Sequence, residues 1–568
     1  MRYNETMLKK AVVSMALILV FLISSRCLLL GKMFFLHDFT HAARISEMAR
    51  GLQDGDFPVQ WSKNFGYGYG MPLFLFYGPL AYYVGAILYV ISGSIVWSIL
   101  LLLLLANVIT LVGSYQLGKE LSGKLSGILL ATLYTLAPYR AVNLFLRGAL
   151  NELWAMAFIP WLLLGWLLLI KKQKYAWLLI AVNSACILLS HNLSAMYFLP
   201  FGVVIGICFQ YLLGSSKAIF SKNTVTTLGT GIASSILGFG LSAFYGIPVF
   251  AEKAFTRLDQ QVLTGYFDYH NHFLYIRQFF MDKWTYGGSE WGPNDGISFF
   301  LGFGIIIGLS FAAFWVLTQK RLKQSKQIRL VIVFLFLLLV ITMLFTTQKS
   351  LWFWEHFSFL PYLQFPWRLL SLIALLASVI IALWVSHAPH RKLLGCLLVA
   401  VTMITSFRYF VPAYYYDSSI GPYYTDPSRI QTEMSGILPD YLPKSFNSKL
   451  ESYQTLIDSS DLVKTNILKD SVSEKLISVD SKEIELITVS IANFPGWNAY
   501  LNGQPIDIST SADGLIQLQI PKGQHELAVI FQATPVRLMA NTISILSLIL
   551  VCTVLYHQNA KKDHRVSK

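Results

Sequence analysis

Charged residues are scarce in this chain, only 13% of 568, where a soluble domain carries about 25%. Several runs of about 20 residues hold almost no ionisable side chain, which excludes an ordinary soluble globular protein and indicates membrane spans. Cysteine is sparse too. Cys27, Cys186, Cys208, Cys396 and Cys552 lie in or at the edge of apolar runs, and none falls in the polar segment 412–535. No disulfide framework or zinc knuckle is spelled by that spacing. Acids are fewer than bases, 30 against 44, for a net charge of +14. The excess does not form a nucleic-acid stripe, because Lys and Arg gather in short clusters between apolar runs, the positive-inside pattern.

What is present is a succession of apolar segments. Arg2, Lys9 and Lys10 precede a run from Ala11 that is long and lacks a small-residue cleavage site, so it reads as an uncleaved first span. Crossings are expected near 11–30, 95–116, 122–138, 152–170, 175–190, 194–213, 225–249, 296–318, 329–346, 366–387, 392–411 and 536–556. Residues 73–92 are apolar but broken by Gly78-Pro79 and loaded with Tyr77, Tyr82, Tyr83 and Tyr89. They are expected to lie along or dip into the surface. Counting them as a crossing would turn Lys119 and Lys124, Lys171-Lys172-Lys174, Lys217 and Lys222, the Lys320–Arg329 cluster, Arg391-Lys392 and the tail lysines outward. The expected fold is a polytopic α-helical membrane protein of about twelve helices, both termini cytoplasmic. Residues 31–94, Arg140–Asn151, 190–192, 250–295, 347–365 and 412–535 then face outward.

Segment 412–535 reads differently. Its first half is rich in Tyr and Pro, and its second half reads as strands. Ile484–Ala492 is β-branched, and Asn502-Gly503 is the dipeptide of a tight type I′ hairpin. Leu515–Ile520 and His525–Phe531, joined by Pro521-Lys522-Gly523-Gln524, read as a second hairpin. The expected domains are a transmembrane domain over 1–411 with an outer loop 31–94, an outer domain over 412–535 with a β-sandwich at about 463–535, and a last helix with a basic tail over 536–568.

Chemistry would gather at the outer ends of the spans. Asp38, between His37 and His41, reads as a base or a metal-facing carboxylate; equally, it reads as the cap of the amphipathic helix that Ala42, Ile45, Met48, Ala49 and Leu52 outline. His37-Asp38-His41 has no specific zinc spacing. Asp54 and Asp56 read as turn residues. Glu152 opens a span and reads as functional or as a first-turn acid stabilising the helix dipole. His191 ends a span and reads as a hydrogen-bonded interface histidine or a substrate contact. Arg368, at the outer start of a span, needs a stabilising partner, either a phosphate or carboxylate of a substrate or an ion pair with Glu152 or Asp38.

The order of these features resembles the opening module of GT-C glycosyltransferases: a first span, an acid, a surface helix, an Asp-Gly-Asp turn followed by Pro, an aromatic surface segment, and the run to Gly118-Lys119. More narrowly, several stretches look like the YfhO-like and "6-pyruvoyl-tetrahydropterin synthase-related" bacterial membrane proteins. These are 66–79, Arg147-Gly148-Ala149-Leu150-Asn151-Glu152, Ser190-His191-Asn192-Leu193-Ser194, Phe365-Pro366-Trp367-Arg368, Tyr441-Leu442-Pro443 and Asn493-Phe494-Pro495-Gly496-Trp497. The resemblance implies transfer of a sugar from a polyprenyl-phosphate donor to a cell-envelope polymer or glycolipid on the extracytoplasmic face. Asp38 and Glu152 would be catalytic, while His41, Trp61, Tyr67, Arg147, His191 and Arg368 would contact substrate. A divalent cation, Mg or Mn, is left open, since one acid stands where the best-studied members have an acidic pair. The alternatives are a lipid-linked sugar transporter or flippase, and a non-catalytic envelope scaffold; a transporter predicts broken helices or ionisable groups near mid-membrane.

Overall fold

The computed structural model describes residues 2–214, 221–258, 263–318, 326–437, 439–447, 450 and 455–566. Lys217, the first part of the Lys320–Arg329 cluster and Lys568, used above to orient loops, lie outside them. The helices begin with α1 (Arg2–Ser25), α2 (His41–Gln53), α3 (Leu73–Phe76), α4 (Leu80–Ser92), α5 (Ile95–Ser122) and α6 (Lys124–Thr135). Next come α7 (Pro138–Val142), α8 (Leu150–Ile170), α9 (Ala176–Ser190), α10 (Asn192–Leu213), α11 (Lys222–Leu241) and α12 (Ala243–Glu252). The last are α13 (Phe303–Thr318), α14 (Lys326–Phe345), α15 (Leu370–His387), α16 (Arg391–Ser406) and α17 (Pro535–Val566).

A helix falls on each of the twelve segments expected to cross. Among the described residues seven helices reach a membrane's thickness by length and composition, or eight if α6 and the bent continuation Pro138–Arg147 count as one span. Helices α9 and α13 are apolar but shorter; at 1.5 Å per residue the 15 residues of α9 rise about 22 Å, less than a hydrocarbon core of about 30 Å. Helix α4, 13 residues after the Gly78-Pro79 break, is also too short to cross alone. One expectation fails outright. Arg140–Asn151 is mostly helical rather than a loop: α7 runs into a π-helical turn at Asn143–Arg147, and α8 follows at Leu150.

The chain divides into two compact units, one of residues 1–39, 100–240 and 263–416, the other of residues 40–99, 241–262 and 417–568. In the first, α15 is apolar on all sides, so it is buried on all sides; every residue from Leu370 to Val385 is covered. The second unit holds α2–α4, α12, the strands and α17, whose Leu546, Ile549 and Leu550 are exposed, as an apolar helix facing lipid requires.

The strands are β1 (Ile457–Asp458), β2 (Val463–Asp470), β3 (Glu474–Ser481), β4 (Glu485–Ala492), β5 (Trp497–Leu501), β6 (Gln504–Ile506), β7 (Ser509–Thr510), β8 (Leu515–Ile520) and β9 (Gly523–Phe531). They form two antiparallel sheets, ordered β1-β4-β8-β7 and β2-β3-β9-β5-β6. The Asn502-Gly503 hairpin joins β5 to β6, with both residues at positive φ. The second expected hairpin does not exist. Strand β8 pairs with β4 and β7, β9 pairs with β3 and β5, and Pro521-Lys522 carries the chain from one sheet to the other.

Three ties within the second unit were not foreseen as such. Glu47, 1% exposed, accepts from Ser62 Oγ, Asn64 N and Asn64 Nδ2 at 2.7–2.9 Å, fixing the 62–71 loop to α2. Glu252 at the end of α12 pairs with the fully buried Arg537 of α17, which also donates to the Pro495 carbonyl. Asp54 and Asp56 do more than turn the chain, since they accept from Val472 N at 2.7 Å and Ser473 Oγ at 2.5 Å.

Candidate functional site

The site in the first unit starts from a proline. Pro138 at the first position of α7 holds Ala137 in an extended conformation (φ −59°, ψ 133°), which ends α6. The two halves meet at 45°. The π turn that follows ends at Gly148, in the left-handed region at φ 66°. A Cβ there would stand 2.9 Å from Leu36 Cβ, so glycine lets the segment after α1 lie against the turn. That segment is bonded in place: His37 N donates to the Leu146 carbonyl and Asp38 N to the Arg147 carbonyl, each at 3.0 Å.

Glu152, 2% exposed in the first turn of α8, faces the π turn. It accepts from Tyr139 Oη at 2.5 Å, Asn143 Nδ2 at 3.2 Å and Arg147 Nη1 at 2.8 Å. Arg368 Nε stands 3.6 Å from Glu152 Oε2, so the ion-pair alternative for Arg368 is realised with Glu152. Arg368 also donates to the Leu363 carbonyl at 2.6 Å and Gln364 Oε1 at 3.0 Å. The two guanidiniums lie over aromatic faces, Arg147 at 4.5 Å from the Trp367 ring centroid and Arg368 at 4.8 Å from that of Phe365. Two cations against one buried carboxylate leave one positive charge at the cluster.

Around it the polar groups are organised. His191 is the N-cap of α10: its Nδ1 accepts from Ser194 N at 3.2 Å, which puts the ring proton on Nε2. Ser194, Tyr197 and Ser371 hydroxyls follow at 3.1 Å steps, and Ser371 Oγ donates to the Arg368 carbonyl at 2.7 Å. On another side Trp367 Nε1 donates to Ser289 Oγ at 3.1 Å, which lies 2.9 Å from His272 Nδ1. His272 is 1% exposed, and burial lowers its pKa against the opposing bond to the Tyr266 carbonyl, so it stays neutral near pH 7.

The structure thus brings together Asp38 by its main chain, Arg147, Glu152, His191 and Arg368. The other three expected contacts belong to the second unit. His41 is 3% exposed, with Nδ1 2.7 Å from Tyr82 Oη. Trp61 is 3% exposed, its ring packed on Phe494, Trp497 and Phe531, so it has no open face for a sugar and is a core residue. Tyr67 is half-buried at φ 61° in the Gly66–Gly70 loop, with its N–H bonded to Ser435 Oγ. The helix after Asp38 starts at His41, with Thr40 in the flanking position. Tyr139 and Asn143 were missed; the one available signal was Asn143 and Arg147 four apart beside a Gly.

A divalent cation does not fit at Glu152, whose oxygens are taken by Tyr139, Asn143 and Arg147 beside a second guanidinium. Among the described residues no group of three or more His, Cys, Asp or Glu side chains is arranged to hold a metal.

No curated protein matches the chain in sequence. Among solved structures it is similar to the Archaeoglobus fulgidus oligosaccharyltransferase in its apo form, at 12% identity and TM-score 0.41 over 74% of this chain and 60% of that one. It is also similar to the arabinofuranosyltransferase AftD from Mycobacteria, at 15% identity and TM-score 0.45 over 72% of this chain and 27% of that one. The chain therefore spans less than two thirds of the length of either. The model of the family described as "6-pyruvoyl-tetrahydropterin synthase related domain; membrane protein" matches residues 74–413. That is more than half of the chain, and the chain belongs to this family of membrane proteins.

Proposed function

We propose that the protein is a membrane glycosyltransferase that moves a sugar from a polyprenyl-phosphate donor to a cell-envelope polymer or glycolipid at the extracytoplasmic face. The observation that carries this reading is the Arg147–Glu152–Arg368 cluster, with its uncompensated positive charge, beside the main chain of Asp38. In the proposed reaction the acceptor hydroxyl attacks the anomeric carbon, the bond to the donor phosphate breaks, and the phosphate leaves with the electron pair. Asp38 takes the hydroxyl proton. Arg147 and Arg368 stabilise the negative charge growing on the leaving phosphate. Glu152, already holding four partners, is a positioning residue for the two arginines rather than a base. His191, neutral and capping α10, fixes the hydroxyl chain that ends at the Arg368 carbonyl.

One observation favours the transporter alternative: the break between α6 and α7 interrupts a candidate span, as discontinuous helices do in transporters. Purified protein in lipid nanodiscs, supplied with polyprenyl-phosphate sugars and envelope acceptors, separates the two. Sugar transfer by wild type and a loss of at least about 100-fold in Asp38→Asn are expected. Normal transfer by a folded Asp38→Asn would remove Asp38 from the chemistry. Translocation of the lipid-linked sugar across liposomes without transfer would replace the reading with the transporter.

A further inference from the structure

The break in the α6–α7 pair holds a second charged residue that the proposed reaction does not use. Arg140 is 1% exposed. Its Nη2 donates to Asn107 Oδ1 at 3.1 Å, and its guanidinium stands 5.7 Å from the Tyr134 ring centroid. Nε and Nη1 make no hydrogen bond of normal length among the described residues; the neutral Tyr134 hydroxyl is the nearby polar group, and no ion pair to a described carboxylate is formed. Asn107 is itself held in place, donating to Ser25 Oγ at 3.1 Å and to the Ser24 carbonyl at 3.4 Å. Thr135, at the end of α6, also has a buried hydroxyl without a partner.

This contrasts with three other arginines of low exposure. Arg147 and Arg368 have Glu152, and Arg537 has Glu252. Taking a guanidinium out of water costs several kcal/mol that only an opposite charge in good geometry offsets. A water molecule would satisfy the N–H groups but not the charge. Asn107 sits near the middle of α5 and Arg140 follows the bend between α6 and α7, so the cation is enclosed among helices of the first unit. Ionised groups enclosed among membrane-spanning helices pair with one another or mark a ligand path.

We propose that Arg140, oriented by Asn107, is an internal anion site that takes a phosphate group. The free N–H groups of a planar guanidinium match phosphate oxygens. A phosphate carried on a lipid reaches an enclosed site from the membrane with its apolar tail solvated, whereas free phosphate must shed its water. The site uses none of the side chains of the Arg147–Glu152–Arg368 cluster, and its existence does not depend on the glycosyltransferase reading.

The test measures thermal unfolding of the full chain in detergent with farnesyl phosphate, farnesol or inorganic phosphate. Farnesyl phosphate should raise the wild-type midpoint by several degrees, and farnesol should not. Arg140→Met should raise the midpoint without ligand, because it removes an uncompensated buried charge, and should abolish the response to farnesyl phosphate. Arg140→Lys, which keeps the charge, should retain part of the response. A response to inorganic phosphate that Arg140→Met abolishes would keep the site and make free phosphate its source. Equal responses in wild type and Arg140→Met, or no response of wild type to either phosphate, would overturn the proposal. If Asp38→Asn transfers sugar normally while the Arg140-dependent shift persists, the reaction assignment falls and the anion site stands.

Discussion

At Glu152 one carboxylate keeps two buried guanidiniums in place. Removing its charge leaves Arg147 and Arg368 facing each other without compensation. Glu152→Gln, which keeps the shape, should lower stability by about 3–5 kcal/mol, read as a fall in melting midpoint of protein in nanodiscs. An unchanged midpoint would mean the pair is solvated after all. Part of this cluster was legible in the residues alone. Glu152 and Arg368 stand out because ionised side chains at the edge of an apolar run need a reason to be there. Tyr139 and Asn143 did not stand out, because their approach to Glu152 depends on the π turn, which has no composition of its own. Trp61 misled for a related reason: an exposed aromatic and a core aromatic look alike until their neighbours are known.

The π turn and Gly148 act as one element. Gly148 does two things at once, taking a positive φ and letting Leu36 approach. An added methyl must push the 36–38 segment away and with it the Asp38 main chain. Gly148→Ala should therefore reduce sugar transfer by roughly 10²-fold, the usual penalty for a misplacement of about 1 Å, while costing only about 1–3 kcal/mol in stability. A variant that transfers normally would show that the position of Asp38 does not matter. Among the strands, Asn502-Gly503 was readable because its turn type demands those two residues. The partners of β8 and β9 were not. Leu515–Ile520 alternates apolar and polar positions from Ile516 on, while His525–Phe531 ends in five consecutive apolar residues, and neither pattern says which strand lies alongside.

Over the whole molecule the two compact units are each assembled from three separate pieces of chain, an interleaving that no boundary in composition marks. In the second unit the Glu252–Arg537 pair ties α12, α17 and the Pro495 loop together. Glu252→Gln and Arg537→Met should each cost about 3–5 kcal/mol. The double variant should cost less than the sum by up to about 3 kcal/mol, a coupling that chemical denaturation of the four proteins would measure. Additive losses would deny the pair. The Asp54 carboxylate has a different dependence on the rest of the chain. Its acceptor bond is to Val472, 418 residues further on, and that of Asp56 is to Ser473, 417 further on. At 5–20 residues per second a ribosome needs roughly 20–80 s to supply those partners. Through that interval the turn after α2 carries two carboxylates whose partners at Val472 and Ser473 do not yet exist, so an early loop of the chain is among the last to be completed.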